Sequence, residues 1–408
     1  CDFIVNHFSG ETSASGCAIS NRDPIGSITG DFIGNYVSST TRGASGGAIS
    51  NGDTIGSITG DFIGNYVTSS GDLAWGGAIY NNYGTIGNIT GDFIGNYVTA
   101  SGFSAIGGAI DNRDEIGNIT GDFIGNYGTS SSFNVYGGAI YNKGTIDGIT
   151  GDFIGNYASS SSNDGAYGGA IYNSGTIGKL DDSGNLVGGI YGSFINNYAK
   201  AESEKVLALG GAVYTDSDMN FIADNQTNYF SGNYTEDYRG KINNAIFVET
   251  SSSSSPTIKL QAQNNGAIIF DDQIDGGDII DSYDSESGKY EIDHTYTYNL
   301  SVTGDTTGRV ILNNDVINAK VSLDEVTLQL GREDVLNQSQ ALTLNSGTLS
   351  LLNNGVGTMH LPELSLNGAV NMAVDADLAN KTMDRITADK YNISQDSKLN
   401  VNLINLIS

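Results

Sequence analysis

The chain has 408 residues, of which 56 are glycine and 3 are proline, and 46 acidic against 18 basic side chains give a formal charge of −28. A surface this acidic repels nucleic-acid phosphates and anionic lipid, which excludes both as partners and leaves divalent cations as the ions it would attract. Glycine at this level, without proline or a three-residue period, is not collagen and fits a backbone that turns sharply many times.

No run approaches the ~18 apolar residues that span a bilayer as a helix, and no basic-then-apolar leader is present. The chain opens inside a repeat, at Phe3-Ile4-Val5-Asn6, and is expected to be a piece of a longer reading frame with its targeting signals elsewhere. Cys1 and Cys17 stand where the repeat otherwise has glycine. They are too few for a disulfide scaffold, and a bridge between them stays open.

A repeat organises the first half. Gly-Gly-Ala-Ile starts at Gly46, Gly76, Gly107, Gly137 and Gly168, preceded by Gly16-Cys17-Ala18-Ile19 and followed by Gly210-Gly211-Ala212-Val213. The spacings are 30, 30, 31, 30, 31 and 42. Phe-Ile-Gly-Asn starts at Phe32, Phe62, Phe93, Phe123 and Phe153 with the same period, and a third apolar segment such as Thr54-Ile55-Gly56-Ser57-Ile58-Thr59 lies between the two motifs. Three short β-prone stretches per period, separated by Gly and Asn, predict one triangular turn of a right-handed, single-stranded parallel β-helix. Helical i, i+3, i+4 runs are missing and glycine is too dense for a strand-plus-helix repeat. A propeller blade needs about 40–50 residues.

Strand alternation places Ile49, Ile79, Ile110, Ile140 and Ile171 inward as a ladder, beside a second ladder of Phe32, Phe62, Phe93, Phe123 and Phe153. Asn51, Asn81, Asn112, Asn142 and Asn173 fall at a corner, where stacked amides hydrogen-bond along the axis. The variable position of Gly-Gly-Ala-Ile-x-Asn (Ser50, Tyr80, Asp111, Tyr141, Tyr172) is read as outward. The two isoleucines of Ile-Gly-x-Ile-Thr, three apart, do not fit one flat strand. Variable, Ser/Thr/Gly-rich segments at 37–45, 67–75, 98–106, 128–136 and 158–167 share one corner and form one edge, the place where solenoids commonly bind.

The regular repeats cover 1–215. Residues 216–295 read as an irregular continuation with loops, including Ser251 to Ser255 and an acid-rich stretch, Asp272 to Glu291, taken as a solvated loop holding Asp272, Asp275, Asp278, Asp281, Asp284 and Glu286. From 296 to 408 the pattern returns as alternation such as Leu300-Ser-Val302 and Val326-Thr-Leu328-Gln-Leu330, predicting coils of roughly 20 residues. Some fifteen coils at ~4.8 Å would make a rod on the order of 70 Å.

The tandem Gly-Gly-Ala-Ile and Phe-x-x-Asn motifs, over roughly residues 1–235, resemble the passenger domains of chlamydial polymorphic outer-membrane proteins, members of the autotransporter (type V secretion) family. The segment from Leu300 to Ser408, with Gly347-Thr-Leu-Ser-Leu351 and Met383-Asp-Arg-Ile386, looks like the distal passenger region ahead of an autotransporter barrel. The resemblance implies a β-helix displayed at the bacterial cell surface, anchored through a β-barrel translocator that this sequence does not contain, and often an adhesin. The period here is more regular than in the chlamydial members.

The leading expectation is therefore an extracellular adhesive or structural passenger that binds a host or neighbouring-cell protein or glycan through its exposed edge, with pairing between rods left open. It is not read as an enzyme. The alternative is a carbohydrate-active β-helix, a polysaccharide lyase or hydrolase. His7, His294 and His360 assemble no triad, and Arg22, Arg42, Arg113 and Lys143 are the basic residues of 20–175. Candidate ligand-binding residues are the aromatics Trp75, Tyr80, Tyr136, Tyr141, Tyr167 and Tyr172. A further column, Tyr36, Tyr66, Tyr97, Tyr127, Tyr157 and Tyr198, is read as ladder packing. No cofactor is expected. Asp31, Asp61, Asp92, Asp122 and Asp152 form a column read as acceptors for corner N–H groups, with weak calcium binding as the sharper alternative.

Overall fold

Paired glycines set the corner from which each coil starts. Gly46 has φ +60°, and a Cβ on it would sit 2.3 Å from the Ile49 carbonyl oxygen. A Cβ on Gly47 would sit 2.1 Å from the carbonyl oxygen of Gly77, one coil on. The first position needs glycine for its left-handed backbone, the second for the close approach of the next winding.

The computed structural model describes residues 2–182, 186–280 and 289–406, which contain no α-helix. The chain is a parallel β-helix in two compact units, one comprising Cys1–Ser217, Gly232–Phe247 and Ile279–Glu291, the other Asp218–Ser231, Val248–Asp278 and Ile292–Ser408.

In the first unit each coil carries more strands than the three expected. The coil after Gly46 has Ile49–Asn51, Ile55–Thr59, Phe62–Ile63, Tyr66–Ser69 and Ala74–Trp75. Phe-Ile-Gly-Asn-Tyr is split because Gly64 turns the chain at φ +59°. Asn196, at φ +57°, takes the same place in Phe194-Ile195-Asn196-Asn197, as asparagine can. Each strand pairs in parallel with its counterparts one coil away. Ile79 lies between Ile49 and Ile110, Phe62 between Phe32 and Phe93, and Tyr66 between Tyr36 and Tyr97.

The interior consists of columns. The phenylalanine rings stack with centroids 4.6–4.8 Å apart and planes within 3°. Ile55 and Ile58 are both buried, with Gly56 exposed and Ser57 half-buried between them, as at a bulge. The corner asparagines bond Nδ2 to Oδ1 from Asn21 through Asn173 at 2.8–2.9 Å. A second amide ladder was not foreseen. Asn35, Asn65, Asn96, Asn126, Asn156 and Asn197 are fully buried, and each Nδ2 donates both to the next Oδ1 and to a phenylalanine carbonyl of the preceding coil.

In the second unit the first coils are 39–42 residues long, as from Phe221 to Leu260 and Leu260 to Val302, and after Leu300 they shorten to two main strands. Leu300, Val321, Leu342 and Leu364 form one register, and Val310, Leu328, Leu349 and Met372 another. Their separations of 21, 21, 22 and 18, 21, 23 residues give the short coils that the alternation predicts. The part from Asp272 to Ile280 is not a solvated loop. Gln273–Ile280 is a strand, and Asp272 and Asp275 are buried at 2% and 7% exposure. Asp281, Asp284 and Glu286 lie outside the described residues, as does Cys1, while Cys17 is a half-buried free thiol.

One coil shows how tightly neighbouring columns are coupled. Three successive coils pair a valine with an alanine at this place (Val37 with Ala44, Val67 with Ala74, Val98 with Ala105), whereas the next coil has Gly128 with Val135. A Cβ on Gly128 would sit 2.8 Å from Val135 Cγ1. Volume has been exchanged across the interior. Gly128→Val alone is expected to cost about 1–3 kcal/mol by overpacking. Gly128→Val with Val135→Ala should recover most of it in urea denaturation, and additive losses would contradict the exchange.

Candidate functional site

The variable corner is mostly strand rather than loop. Tyr66–Ser69 and Ala74–Trp75, for example, leave only 70–73 as connection. The connection is held by the serine that ends the longer strand. Ser39, Ser69, Ser130 and Ser160 each donate Oγ to a carbonyl of the preceding connection at 2.8–3.2 Å. The side chains on this edge therefore sit on a fixed support.

All six predicted aromatics meet here. Trp75 stacks on Tyr80 (centroids 5.9 Å), Tyr136 on Tyr167 (5.5 Å) and Tyr141 on Tyr172 (5.1 Å), while Tyr136 meets Tyr172 edge-on at 5.0 Å. Tyr214 and Phe247 extend the row, with Tyr172 to Tyr214 at 4.9 Å and Tyr214 to Phe247 at 5.8 Å. The position read as outward is only partly so, because the rings cover one another. Tyr141 is 7% exposed, while Trp75, Tyr80, Tyr136, Tyr167 and Tyr172 are half-buried. Trp75 Nε1 is buried without a hydrogen-bond partner, so ring packing, on Tyr80 and over the Gly43 backbone, seats that side chain.

Between Tyr80 and Tyr141 the column has Asp111 instead of a ring, and its carboxylate is fully buried. Arg113, two residues on, grips it with Nε 3.0 Å from Oδ1 and Nη2 3.0 Å from Oδ2. The guanidinium carbon lies 5.8, 5.6 and 5.8 Å from the ring centroids of Trp75, Tyr80 and Tyr141. A planar cation thus fills the missing place in an aromatic stack, and the carboxylate beneath neutralises it. Burial pushes the Asp111 carboxyl up to about 6, with Arg113 opposing the rise. Burial likewise pushes the Tyr80 phenol up to about 12. Spacing gave one usable signal for this pair, since i and i+2 share a strand face.

A second aromatic pair went unpredicted. Phe103 and Phe133, 41% and 37% exposed, stack at 4.1 Å on the connections of successive coils.

The Tyr36 column is a ladder through Tyr234, with centroids 4.6–5.0 Å apart, and His7 caps it 4.0 Å from Tyr36. His294 contacts Asp275 at 3.2 Å, and His360 bonds Thr387 at 3.0 Å. The Asp31 to Asp152 column spends its carboxylates on backbone. Each Oδ1 accepts the N–H of the next corner residue at 2.7–2.9 Å, ending at Ser193. Among the described residues no group of three or more His, Cys, Asp or Glu side chains is placed to hold a metal ion.

No protein-family model matches this chain, nor does any curated protein or solved structure.

Two measurements check these assignments. Asp92→Asn keeps an acceptor oxygen and should be tolerated, whereas Asp92→Ala should lose about 1–2 kcal/mol in chemical denaturation. Because folding raises the Asp111 carboxyl from 3.8 to about 6, its contribution to stability is full below 3.8 and is lost as pH rises through 6. The melting temperature of the wild type relative to Asp111→Asn should therefore rise on acidification across that window, and a flat difference would contradict the assignment.

Proposed function

We propose that this chain is the displayed, adhesive β-helix of a bacterial surface protein of the autotransporter type, carried on an outer-membrane β-barrel. It binds a protein or glycan on a host or neighbouring cell through the variable corner. One observation carries the reading. Aromatic side chains gather on the corner whose sequence differs most from coil to coil, while the interior columns repeat almost without change. Repetition inside serves packing; variation confined to one edge is where a ligand is met. Half-exposed tyrosine, tryptophan and arginine are the residues that anchor interfaces, the aromatics because they bury large area at low entropic cost and arginine because its planar fork stacks and hydrogen-bonds at once. The motif resemblance supports the same reading and supplies the outer-membrane location.

Beads coated with the purified chain should attach to cultured epithelial cells or to bacterial lawns. Combined Trp75→Ser, Phe103→Ser and Phe133→Ser substitution should cut attachment at least roughly tenfold, the worth of one interface anchor, with the β-sheet circular-dichroism signal retained. Undiminished attachment by the folded variant would overturn the proposal.

A further inference from the structure

The connections of the variable corner lengthen along the first unit. They hold four residues at 70–73, 101–104 and 131–134, then five at 161–165 and six at 202–207. Beside the longer connections, where the flanking strands stay paired, lies a cavity of about 200 Å³. Asn134, Asn163, Asp164, Tyr167, Val206 and Tyr290 are among its walls.

The walls are built rather than incidental. Asn134 Oδ1 accepts the Gly165 N–H at 2.7 Å, and its Nδ2 donates to the Tyr136 hydroxyl at 2.8 Å. Position 165 must be glycine for this shape. A Cβ there would lie 2.5 Å from the Tyr167 hydroxyl and 2.7 Å from the Leu207 carbonyl oxygen. Tyr167 thus folds back over the backbone and brings one ring of the aromatic row to the cavity. Tyr290 is fixed on the other side, its N–H donating to the Lys205 carbonyl at 2.9 Å and its carbonyl accepting from the Tyr238 hydroxyl at 2.6 Å. Val206 and Leu207, 3% and 2% exposed, supply an apolar floor.

Two polar groups stand unengaged in this frame. The Asp164 carboxylate accepts no hydrogen bond from the described residues, and the Asn163 side-chain amide N–H₂ donates none, its carbonyl accepting from Ser203 at 3.0 Å. Burial raises the Asp164 carboxyl above its ordinary value.

We infer that this cavity is a subsite for a single neutral pyranose ring of a glycan. An aromatic wall takes the C–H face of a sugar. A carboxylate acceptor beside an amide donor matches a pair of vicinal hydroxyls, each both donor and acceptor. The volume is below the ~300–1,000 Å³ that enclose a drug-sized molecule, so one ring fits and an oligosaccharide extends along the neighbouring groove. That groove is lined by Ser131, Ser132, Ser161 and Ser162 and carries Glu202. With Asp164 and Glu202 both present and a chain charge of −28, an anionic sugar is repelled.

The inference rests on the adhesive reading and names its ligand class, and the two fail separately. Saturation-transfer NMR on the full chain, with glucose, galactose, mannose and N-acetylglucosamine as probes and glucuronate as the charged comparison, reads the subsite without any cell. At least one neutral sugar should receive saturation, glucuronate should not, and Asp164→Ala should weaken the signal at least roughly tenfold, as expected for a lost hydrogen bond to a charged group. Asp72→Ala, on an earlier connection, should leave it unchanged. Silence from every neutral sugar, a preference for glucuronate, or full binding by folded Asp164→Ala would each overturn the subsite. Bead attachment lost on Trp75, Phe103 and Phe133 substitution would still stand in those cases. Sugar binding without bead attachment would sink the adhesive reading and leave the subsite.

Discussion

One strand spacing, roughly 4.8 Å, governs what a side chain can be in this chain, because nearly every position must accept a copy of itself directly above and below. Side-chain types answer that demand differently. Isoleucine and phenylalanine meet it by dispersion, the rings lying parallel at 4.6–4.8 Å. Asparagine meets it with a donor and an acceptor on one amide, so each residue in a column both gives and receives. A carboxylate has no donor and cannot bond its own copy, so the Asp31 to Asp152 column turns to backbone N–H groups. The backbone itself is satisfied between coils, which is why strands as short as Phe62–Ile63 persist.

Where a column changes identity, a neighbouring residue absorbs the change. Gly128 gives up the volume that Val135 takes. Asp111 removes a ring from the aromatic row, and Arg113 replaces it with a plane of similar extent and opposite electrostatic face. Asn196 adopts the positive φ that glycine adopts elsewhere. Each compensation is local because a coil touches only its neighbours, and solenoid stability is a sum of such adjacent interfaces.

The same locality separates the functional edge from the interior. A connection at the corner has one side free, so its length and composition change while the flanking strands keep their register, as the growth from 131–134 to 202–207 shows. Beside the longer connections lies a cavity, and the aromatic row supplies a wall for it. The Asp111–Arg113 pair bridges that row and brings the one fully buried carboxylate into it, so proton binding at Asp111 is linked to the stability of this edge.

The sequence by itself determined the period, the parallel stacking, the isoleucine and phenylalanine columns and the corner amides, because a side chain repeated every 30 or so residues has one natural place, over its own copy. It also marked the six aromatics and the corner they occupy. It did not reveal that Phe-Ile-Gly-Asn-Tyr breaks into two strands, since that depends on the sign of φ at Gly64. Nor did it reveal that Asp111 is buried beneath Arg113, that Asp272 and Asp275 lie in the interior, or that Asn35 and its copies form a second ladder. These were decided by the tertiary structure, because each is a contact between a side chain and a different neighbour, set by how connections of unequal length bring adjacent coils together. A repeat carries information about like over like, and only the folded chain fixes what meets across a corner.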